Sequence, residues 1–318
     1  MMSSVQNQRR VAPLDTGAPL AIITVTYNSA EVLPGLLDSL QAGSEGLARV
    51  QVIVVDNASQ DSSVAVATAH PIRPLVVKTG RNGGYSAGIN AGMADLPADA
   101  NVLVLNPDIR LFPGAARLLV QRLEQAKVGI AVPRVLEQDG SVSTSLRREP
   151  SLVTAWAEAL LGGALATRLG ISEILGPPLG EGQSFDWASG AVIAIAARAR
   201  RAVGAWDESY FLYSEEVDYQ RRVRESGLSI DYVPEAEVVH IGGEYHANPR
   251  LYGILTANRV RYFRRYHSPV ATALFRAGII AGEAIRCVKG SAVHKAGLAA
   301  ALRRWTPPVS AANGLSDA

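Results

Sequence analysis

Four times before residue 130, a run of β-branched and aliphatic residues gives way to a polar loop and then to apolar residues at helical spacing. Leu20–Thr26 precedes Leu33, Leu36, Leu37 and Leu40. A second run ends at Asp56 and leads through the polar loop Asn57–Asp61 to a short helix. Pro74–Lys78 leads through Gly80–Tyr85 to a small-residue helix over Ser86–Ala94. Asn101–Asn106 leads to a helix opened by Phe112-Pro113 and reaching about Ala126, after which Val128–Val132 is a fifth strand. These runs are apolar throughout rather than alternating, so both faces of the sheet must be covered. The alternation predicts an α/β fold, a mainly parallel sheet with helices on both faces. Asn28 or Ser29 is placed to cap the first helix, with Pro34 in its first turn, where a missing N–H is tolerated.

Beyond Pro133 the pattern loosens. The expected elements are a short exposed strand at Ser141–Ser145, an Ala/Leu-rich helix at Leu152–Leu169 and a lid-like loop at Gly176–Gly182. A strand pair over Phe185–Ala197, broken near Gly190, comes next. A helix at Glu215–Ser226 ends on Gly227, and short strands follow at Leu228–Val233 and Glu237–Ile241. Pro249–Tyr266 is a long basic-aromatic helix, and an Ala-rich helical stretch runs from Ser268 to about Trp305. Met1–Thr16 is polar and lacks the apolar centre of a signal peptide, so 1–18 is expected to be a disordered tail and the compartment the cytoplasm. The body falls into 19–267 and a helical C-terminal segment, 268–318.

Composition removes several alternatives. The 318 residues suffice for one large domain with an appendage. A net charge of +2 gives no bulk attraction to nucleic acid. The lone Cys287 excludes an internal disulfide and a multi-cysteine zinc site. No run of about 18 uncharged apolar residues is present to span a bilayer.

Carboxylates mark where the chemistry would sit. Glu215, Glu216 and Asp218 lie within four residues, next to the apolar Tyr210-Phe211-Leu212. Such a cluster suits a site that removes a proton or holds a cation. Asp56 and the Asn106-Pro107-Asp108 turn each end a strand, where open α/β sheets bind ligands. Asp56 could accept from a base imide or a ribose hydroxyl, or could cap the following helix. Asn106 and Asp108 could reach a diphosphate-bound Mg²⁺ or Mn²⁺, or could simply form a turn. Arg81-Asn82-Gly83-Gly84-Tyr85 offers a guanidinium, an amide and backbone N–H groups to a phosphate or sugar, or is a plain turn. His240, at a strand end, is a candidate metal ligand or a structural imidazole. Trp187–Ala191 would suit a sugar platform or the core.

The order of these motifs says more than any one of them. Val-Thr-Tyr-Asn (25–28), Val-Val-Asp-Asn-Ala-Ser (54–59), Arg-Asn-x-Gly-x-x-x-Gly-x-Asn (81–90), Leu-Asn-Pro-Asp (105–108), Ser-Gly-Ala (189–191), Asp-Glu-Ser-Tyr-Phe (207–211), Glu-Glu-Val-Asp-Tyr (215–219) and Val-Pro-Glu-Ala-x-Val-Val-His (233–240) follow one another. The sequence over about 19–267 resembles the family 2 glycosyltransferases of GT-A fold, and among them the bacterial rhamnosyltransferases that use dTDP-L-rhamnose. The resemblance implies a Rossmann-like, mainly parallel sheet and an inverting sugar transfer. It assigns Thr26, Tyr27 and Asn28 to the nucleotide pocket, Asp56 to the base, and Arg81, Asn82 and Gly83 to a loop beside the donor. Asn106 and Asp108 stand where the family has Asp-x-Asp, so Asp108 and His240 are the expected metal ligands. Glu216 stands where the family has the aspartate base, which leaves Glu215, Glu216 and Asp218 as candidates. A divalent cation, Mn²⁺ or Mg²⁺, is the implied cofactor. The implied partners are a dTDP-sugar and a sugar on a polyprenyl diphosphate, N-acetylglucosaminyl-diphospho-polyprenol. The implied location is the inner face of the plasma membrane, and a homo-oligomer is left open.

The C-terminal part fits a membrane surface on physical grounds. Arg259, Arg261, Arg264 and Arg265 alternate with Tyr262, Phe263 and Tyr266. Leu274, Phe275, Ile279, Ile280 and Ile285 follow with Arg276, Arg286 and Lys289. Basic amphipathic helices of this kind settle among headgroups, and a packing or dimerisation helix is the alternative. A nucleotidyltransferase would need a glycine-rich phosphate loop where Tyr27-Asn28-Ser29 stands. A non-catalytic sugar-binding module gives no reason for the clustered carboxylates.

Overall fold

The computed structural model describes residues 18–176, 184–242, 248–288 and 290–303. Expectations for the 1–18 tail, most of the Gly176–Gly182 loop and the end past Trp305 lie outside the described residues. In chain order the elements are β1 (Leu20–Thr26), α1 (Leu33–Gly43), β2 (Val50–Asp56), α2 (Ser63–Ala69), β3 (Leu75–Lys78), α3 (Tyr85–Met93), β4 (Asn101–Leu105), β5 (Ile109–Leu111) and α4 (Ala115–Leu123). There follow β6 (Val128–Leu136), β7 (Leu146–Arg147), α5 (Leu152–Leu161), α6 (Gly163–Arg168), β8 (Trp187–Ala188), β9 (Val192–Ile195), α7 (Ala197–Val203), α8 (Glu215–Glu225), β10 (Ser229–His240), α9 (Pro249–Tyr266), α10 (Pro269–Cys287) and α11 (Ala292–Leu302).

One eight-stranded sheet runs β3-β2-β1-β4-β9-β6-β10-β5. The first four strands are parallel, as their fully apolar runs require, and β6 and β10 are parallel too. β9 enters antiparallel between β4 and β6, and β5 closes the far edge antiparallel to β10. The sheet is therefore mainly parallel, GT-A-like and helix-covered. Register aligns Thr26 with Asp56 and Asp56 with Lys78, so the polar ends of β1, β2 and β3 lie side by side.

Several expectations change in physical detail. Helix α1 is N-capped at Val32, not at Asn28 or Ser29; the Asn28 side-chain oxygen accepts instead from the Gln60 N–H in the loop after β2, and the Ser29 hydroxyl bonds to the Tyr27 backbone. Ser141–Ser145 is no strand: Val142 makes only an isolated bridge to Leu136. The Leu152–Leu169 helix breaks at Gly162, whose φ of 79° no helix accommodates. The Phe185–Ala197 pair is divided between two sheets, β8 pairing with β7 and β9 joining the main sheet. Leu228–Val233 and Glu237–Ile241 are one strand, β10, with a register shift across Pro234, which has no N–H to donate. The C-terminal stretch is two helices with a break at Gly290.

The aromatics of α9 and α10 also behave otherwise than expected of a surface helix. Tyr262, Phe263 and Phe275 are fully buried and Ile279 nearly so. Phe263 stacks on Phe275 at 4.0 Å, in a second core shared with Ala155 of α5. Of the side chains expected among headgroups, these four fasten the helices to the domain, whereas Leu274 and Ile285 stay exposed. Among the described residues no helix is long and apolar enough to cross a membrane.

Helix α3 lies against β1 and β2 through glycines. A Cβ on Gly88 would overlap Val25, and one on Gly92 would crowd Ile23 and Val55. Gly88→Leu should therefore cost about 1–3 kcal/mol of stability by overpacking, read as a lower denaturant midpoint.

Candidate active site

The carboxyl ends of the parallel strands form the first wall. Asp56 is buried at the end of β2; its Oδ1 accepts from Thr26 Oγ1 at 3.3 Å and its Oδ2 from the Ser59 N–H at 3.1 Å. Asn28 takes a left-handed backbone (φ 52°), which asparagine tolerates. Its N–H donates to Ser59 Oγ and its side-chain oxygen accepts from the Gln60 N–H, so the turns after β1 and β2 hold each other. Tyr27, in the turn after β1, is half-buried. Thr26, Tyr27, Asn28 and Asp56 are thus brought together.

The loop after β3 is the second wall. Buried Asn57 donates to the Gly84 carbonyl at 2.9 Å and accepts from Thr79 Oγ1, tying this loop to the turn after Asp56. Asn82 Oδ1 accepts from the Gly84 N–H. At Gly83 a Cβ would stand 2.9 Å from Arg81 Nη1, so the guanidinium lies along the bare backbone. Arg81 is exposed and only 4.0 Å from Glu208, an ion pair too open to hold it firmly. Gly84 (φ 88°) presses on the Phe211 backbone, where a Cβ could not fit, and the Tyr85 N–H donates to the Phe211 carbonyl at 2.7 Å.

Asp108 and His240 form a third group. The Asn106-Pro107-Asp108 turn is closed by Ile109 N–H to the Asn106 carbonyl and fixed by Arg110, which donates to the Pro107 and Val32 carbonyls. His240 pairs with Ile109 across β10 and β5, which brings its Nε2 to 3.2 Å from Asp108 Oδ2. Burial lowers the imidazole's proton affinity, but the hydrogen bond and charge of Asp108 outweigh it and raise the value above normal. Asp108 Oδ1 is buried with no hydrogen-bond partner among the described residues. Gly242 passes so close to Oδ2 that any Cβ would overlap it.

The carboxylate cluster occupies the first turn of α8, and its members divide. About 100° per residue separates successive side chains, so Glu216 and Asp218 point to nearly opposite sides. Asp218 is fully buried: Oδ2 accepts from Arg222 Nε at 2.9 Å and Oδ1 from the Tyr266 hydroxyl at 2.7 Å, with Arg265 at 3.3 Å. Glu215 is also buried, but its Oε2 has no partner among the described residues. Burial, then the neighbouring Glu216, raises its proton affinity well above the usual range. Glu216 is half-buried, with Gly190 and the Tyr85 ring beside it. Burial pushes it up to about 7, against the pull of backbone hydrogen bonds and of Arg147.

Tyr85 reports the convergence. Its hydroxyl donates to the Gly190 carbonyl at 3.1 Å. Its proton affinity is raised well above normal by burial and then by Glu215, Asp108 and Glu216. One phenol therefore feels both the Asp108 group and the α8 pair. Neither Tyr85's place between them nor the roles of Asn57 and Gly242 was drawn from the sequence; the arrangement of Tyr85 and Gly84 in one motif was the available signal.

The segment leading into α8 is unusual in itself. Phe211, Tyr213 and Ser214 all have positive φ (63°, 68° and 70°). Buried Asn258 of α9 donates from Nδ2 to the Tyr210 and Leu212 carbonyls, at 2.8 Å each, and lies 3.2 Å from that of Tyr213.

This sheet order, with strand-end carboxylates facing a helix-borne acid pair, is that of a GT-A glycosyltransferase. A mannosyltransferase from Pyrobaculum calidifontis, solved with GDP-Man and Mn²⁺, shares the fold with a TM-score of 0.53 at 16% identity, over 92% of this chain and 88% of that one. The model of glycosyl transferase family 2 matches residues 21–171. N-acetylglucosaminyl-diphospho-decaprenol L-rhamnosyltransferase of Mycobacterium tuberculosis is 31% identical over 239 residues, 70% of this chain and 75% of the relative. A Haloferax volcanii hexosyltransferase of low-salt glycan biosynthesis is 28% identical over 225 residues, 70% of this chain and 66% of the relative. The chain belongs to glycosyl transferase family 2, and it is a glycosyltransferase.

Removing the Asn258 amide strips three carbonyls of a buried donor. Asn258→Ala should cost about 1–3 kcal/mol of stability, measured by thermal melting. Asn258→Asp, which turns an acceptor toward those carbonyls, should cost at least as much despite its matching shape.

Proposed function

We propose that the chain transfers L-rhamnose from dTDP-L-rhamnose, with inversion, to a sugar on a polyprenyl diphosphate, N-acetylglucosaminyl-diphospho-polyprenol, in cell-wall or surface-polysaccharide assembly at the inner face of the plasma membrane. The observation that carries this reading is the packing of Glu216 and Tyr85 against Gly190, with the Tyr85 hydroxyl bonded to the Gly190 carbonyl and within electrostatic reach of Asp108. A leaving-group site and a candidate base then border one space. The mycobacterial relative, which acts on N-acetylglucosaminyl-diphospho-decaprenol, supports the choice of donor sugar and acceptor.

In this reading Asp56, with Thr26, Tyr27 and Asn28, receives the nucleoside, and the Arg81-Asn82-Gly83 loop lies along the donor. Asn106 and Asp108 face the diphosphate. The acceptor oxygen attacks the anomeric carbon as the bond from that carbon to the dTDP oxygen breaks, and the hydroxyl proton passes to Glu216. Glu216 suits the role because it is the accessible member of the cluster. Asp218 is saturated by Arg222, Arg265 and Tyr266, so we assign it to structure rather than to proton transfer. Glu215, buried and slow to ionise, leaves the negative charge of the pair to its neighbour.

A metal fits the Asp108 group. A hard divalent cation seeks oxygen ligands, and the partnerless Oδ1 is one beside an imidazole. Among the described residues no group of three or more His, Cys, Asp or Glu could hold an ion, so Asp108 and His240 would hold Mn²⁺ or Mg²⁺ together with donor phosphate oxygens. When bound, the cation supplies neutralisation of the departing diphosphate's charge.

Three outcomes test this. Glu216→Gln should lower kcat by at least about a hundredfold with dTDP binding nearly unchanged; full turnover in this variant would remove Glu216 as the base. A base must be ionised to act, so kcat/KM should fall as pH drops through about 7, not near the ordinary glutamate value. Asp108→Asn should abolish the rise in melting temperature that Mn²⁺ with dTDP gives the parent protein. A panel of nucleotide sugars scored by the same thermal shift identifies the donor.

A further inference from the structure

Twelve large hydrophobic residues are exposed among the described residues, and ten of them lie on α5, α6, α10 and α11 or in the caps that end them. On α10 the exposed face carries Val270, Leu274, Ile285 and Val288, with alanines at 273, 277, 281 and 284 between them. These positions recur at helical spacing and fall within about a third of the circumference. No charged residue interrupts them. The charged side chains of α10 are turned elsewhere: Arg276 to the carbonyls of Ala301–Arg303, and Arg286 to Glu283 and the Glu158 carbonyl.

The α5 face continues this surface. Trp156 donates to the Leu274 carbonyl at 3.2 Å and its ring covers Gly278, so it forms the seam between the helices. Leu160, 66% exposed, and Leu161 lie beyond it on α5. Over 250–303 the chain has ten Lys and Arg against one acid, Glu283. That segment is +9 in a chain that totals +2.

We infer that this α5–α10 face docks onto an anionic lipid bilayer at headgroup depth. A contiguous apolar stripe in a strongly cationic surround has the composition of an interfacial surface, and anionic headgroups attract such a segment. Arg259, Arg261, Arg265 and Arg286 pair with acids within the chain, and Arg276, Lys295 and Arg303 add positive charge with no acidic partner among the described residues; a second copy fits the same face poorly, since two like-charged surfaces would oppose each other. The inference rests on the reading of the acceptor as lipid-linked, and it replaces the buried aromatics of α9 and α10 with a different set of contacts. Arg147, whose charge reaches Glu216, lies five residues before α5 begins. The chain that leads into α5 therefore passes within electrostatic reach of Glu216.

The test is flotation of the full chain with vesicles of equal parts phosphatidylcholine and phosphatidylglycerol, with neither donor nor acceptor present. The protein should float with these vesicles, float less as salt is added, and stay down with phosphatidylcholine alone. Leu160→Glu, Leu274→Glu and Val288→Glu combined should reduce flotation at least about tenfold, with an unchanged melting temperature and unchanged transfer to a short-chain, water-soluble acceptor. Two results would overturn the inference: a parent protein that does not float, or a parent dimer that the triple variant dissociates with flotation unaltered. Flotation without rhamnosyl transfer would leave the docking face standing and remove the assigned sugar chemistry. Transfer without flotation would do the reverse.

Discussion

Everything at the reacting end of this enzyme depends on a four-residue stretch held in an unfavourable conformation. Phe211, Tyr213 and Ser214 have side chains and yet occupy the left-handed region, at a cost on the order of 1–3 kcal/mol each. Two neighbours offset it. Asn258 presents its amide to the carbonyls of Tyr210 and Leu212 from α9, and Gly84-Tyr85 grips the Phe211 backbone from the loop after β3. The result is a sharp entry into α8 that puts its first turn, with both glutamates, into the space bordered by Tyr85 and Gly190. A relaxed loop would let α8 begin elsewhere and carry Glu216 away from Asp108.

Electrostatics then explains why three acids can share one turn. The N-terminal end of a helix favours negative charge, but three carboxylates in one turn exceed what that alone offsets. Asp218 is neutralised from behind by two arginines and a tyrosine hydroxyl. Burial favours the protonated form of Glu215. What remains is a single carboxylate, Glu216, with backbone hydrogen bonds and the nearby charge of Arg147 moderating its raised proton affinity. The environment thus separates three chemically similar residues: Asp218 is saturated by its partners, and burial raises the proton affinity of Glu215 well above the usual range and that of Glu216 to about 7.

The strands and their polar ends were legible because local rules govern them. Buried parallel strands need continuous apolar runs, and the residues that end them must be polar, so Thr26, Asp56 and Asp108 could be placed from the chain alone. The motif over 81–90 was visible as spacing, but its reasons are tertiary. Gly84 is small because Phe211 lies on it, Gly88 because Val25 does, and Asn90 because it bonds to Trp206 and Glu208. Asn258 left no signal at all: a single asparagine in a basic helix says nothing about three carbonyls some forty-five residues earlier. The amphipathic reading of the C-terminal helices divides for a related reason, with Leu274 and Ile285 exposed and the larger side chains packed inside. Periodicity shows that a helix has an apolar face, but Phe263, Phe275 and Ile279 found that face a partner within the chain, which the pattern could not distinguish from a membrane.

That internal partner has a consequence for the chemistry. Arg259 of α9 is held between Glu158 of α5 and Glu173, at 3.6 and 2.7 Å, and Glu173 is one of the charges felt by Glu216. Tyr262 reaches Glu149, which also pairs with Arg221 of α8, and Tyr266 reaches Asp218. Helix α9 is therefore joined to α5 through Arg259 and Glu158 and to α8 through Arg265, Tyr266 and Asp218, by charge-assisted bonds as well as by loops. Sugar transfer demands that nucleophile, anomeric carbon and leaving group be aligned to within a fraction of an ångström. An acceptor confined to a surface can meet that demand only if whatever orients the protein on the surface is rigidly fixed to the base. Here α5 and α10 carry the exposed apolar face, and α9, ion-paired to α5 through Arg259 and Glu158, holds α8 through Arg265 and Tyr266 on Asp218.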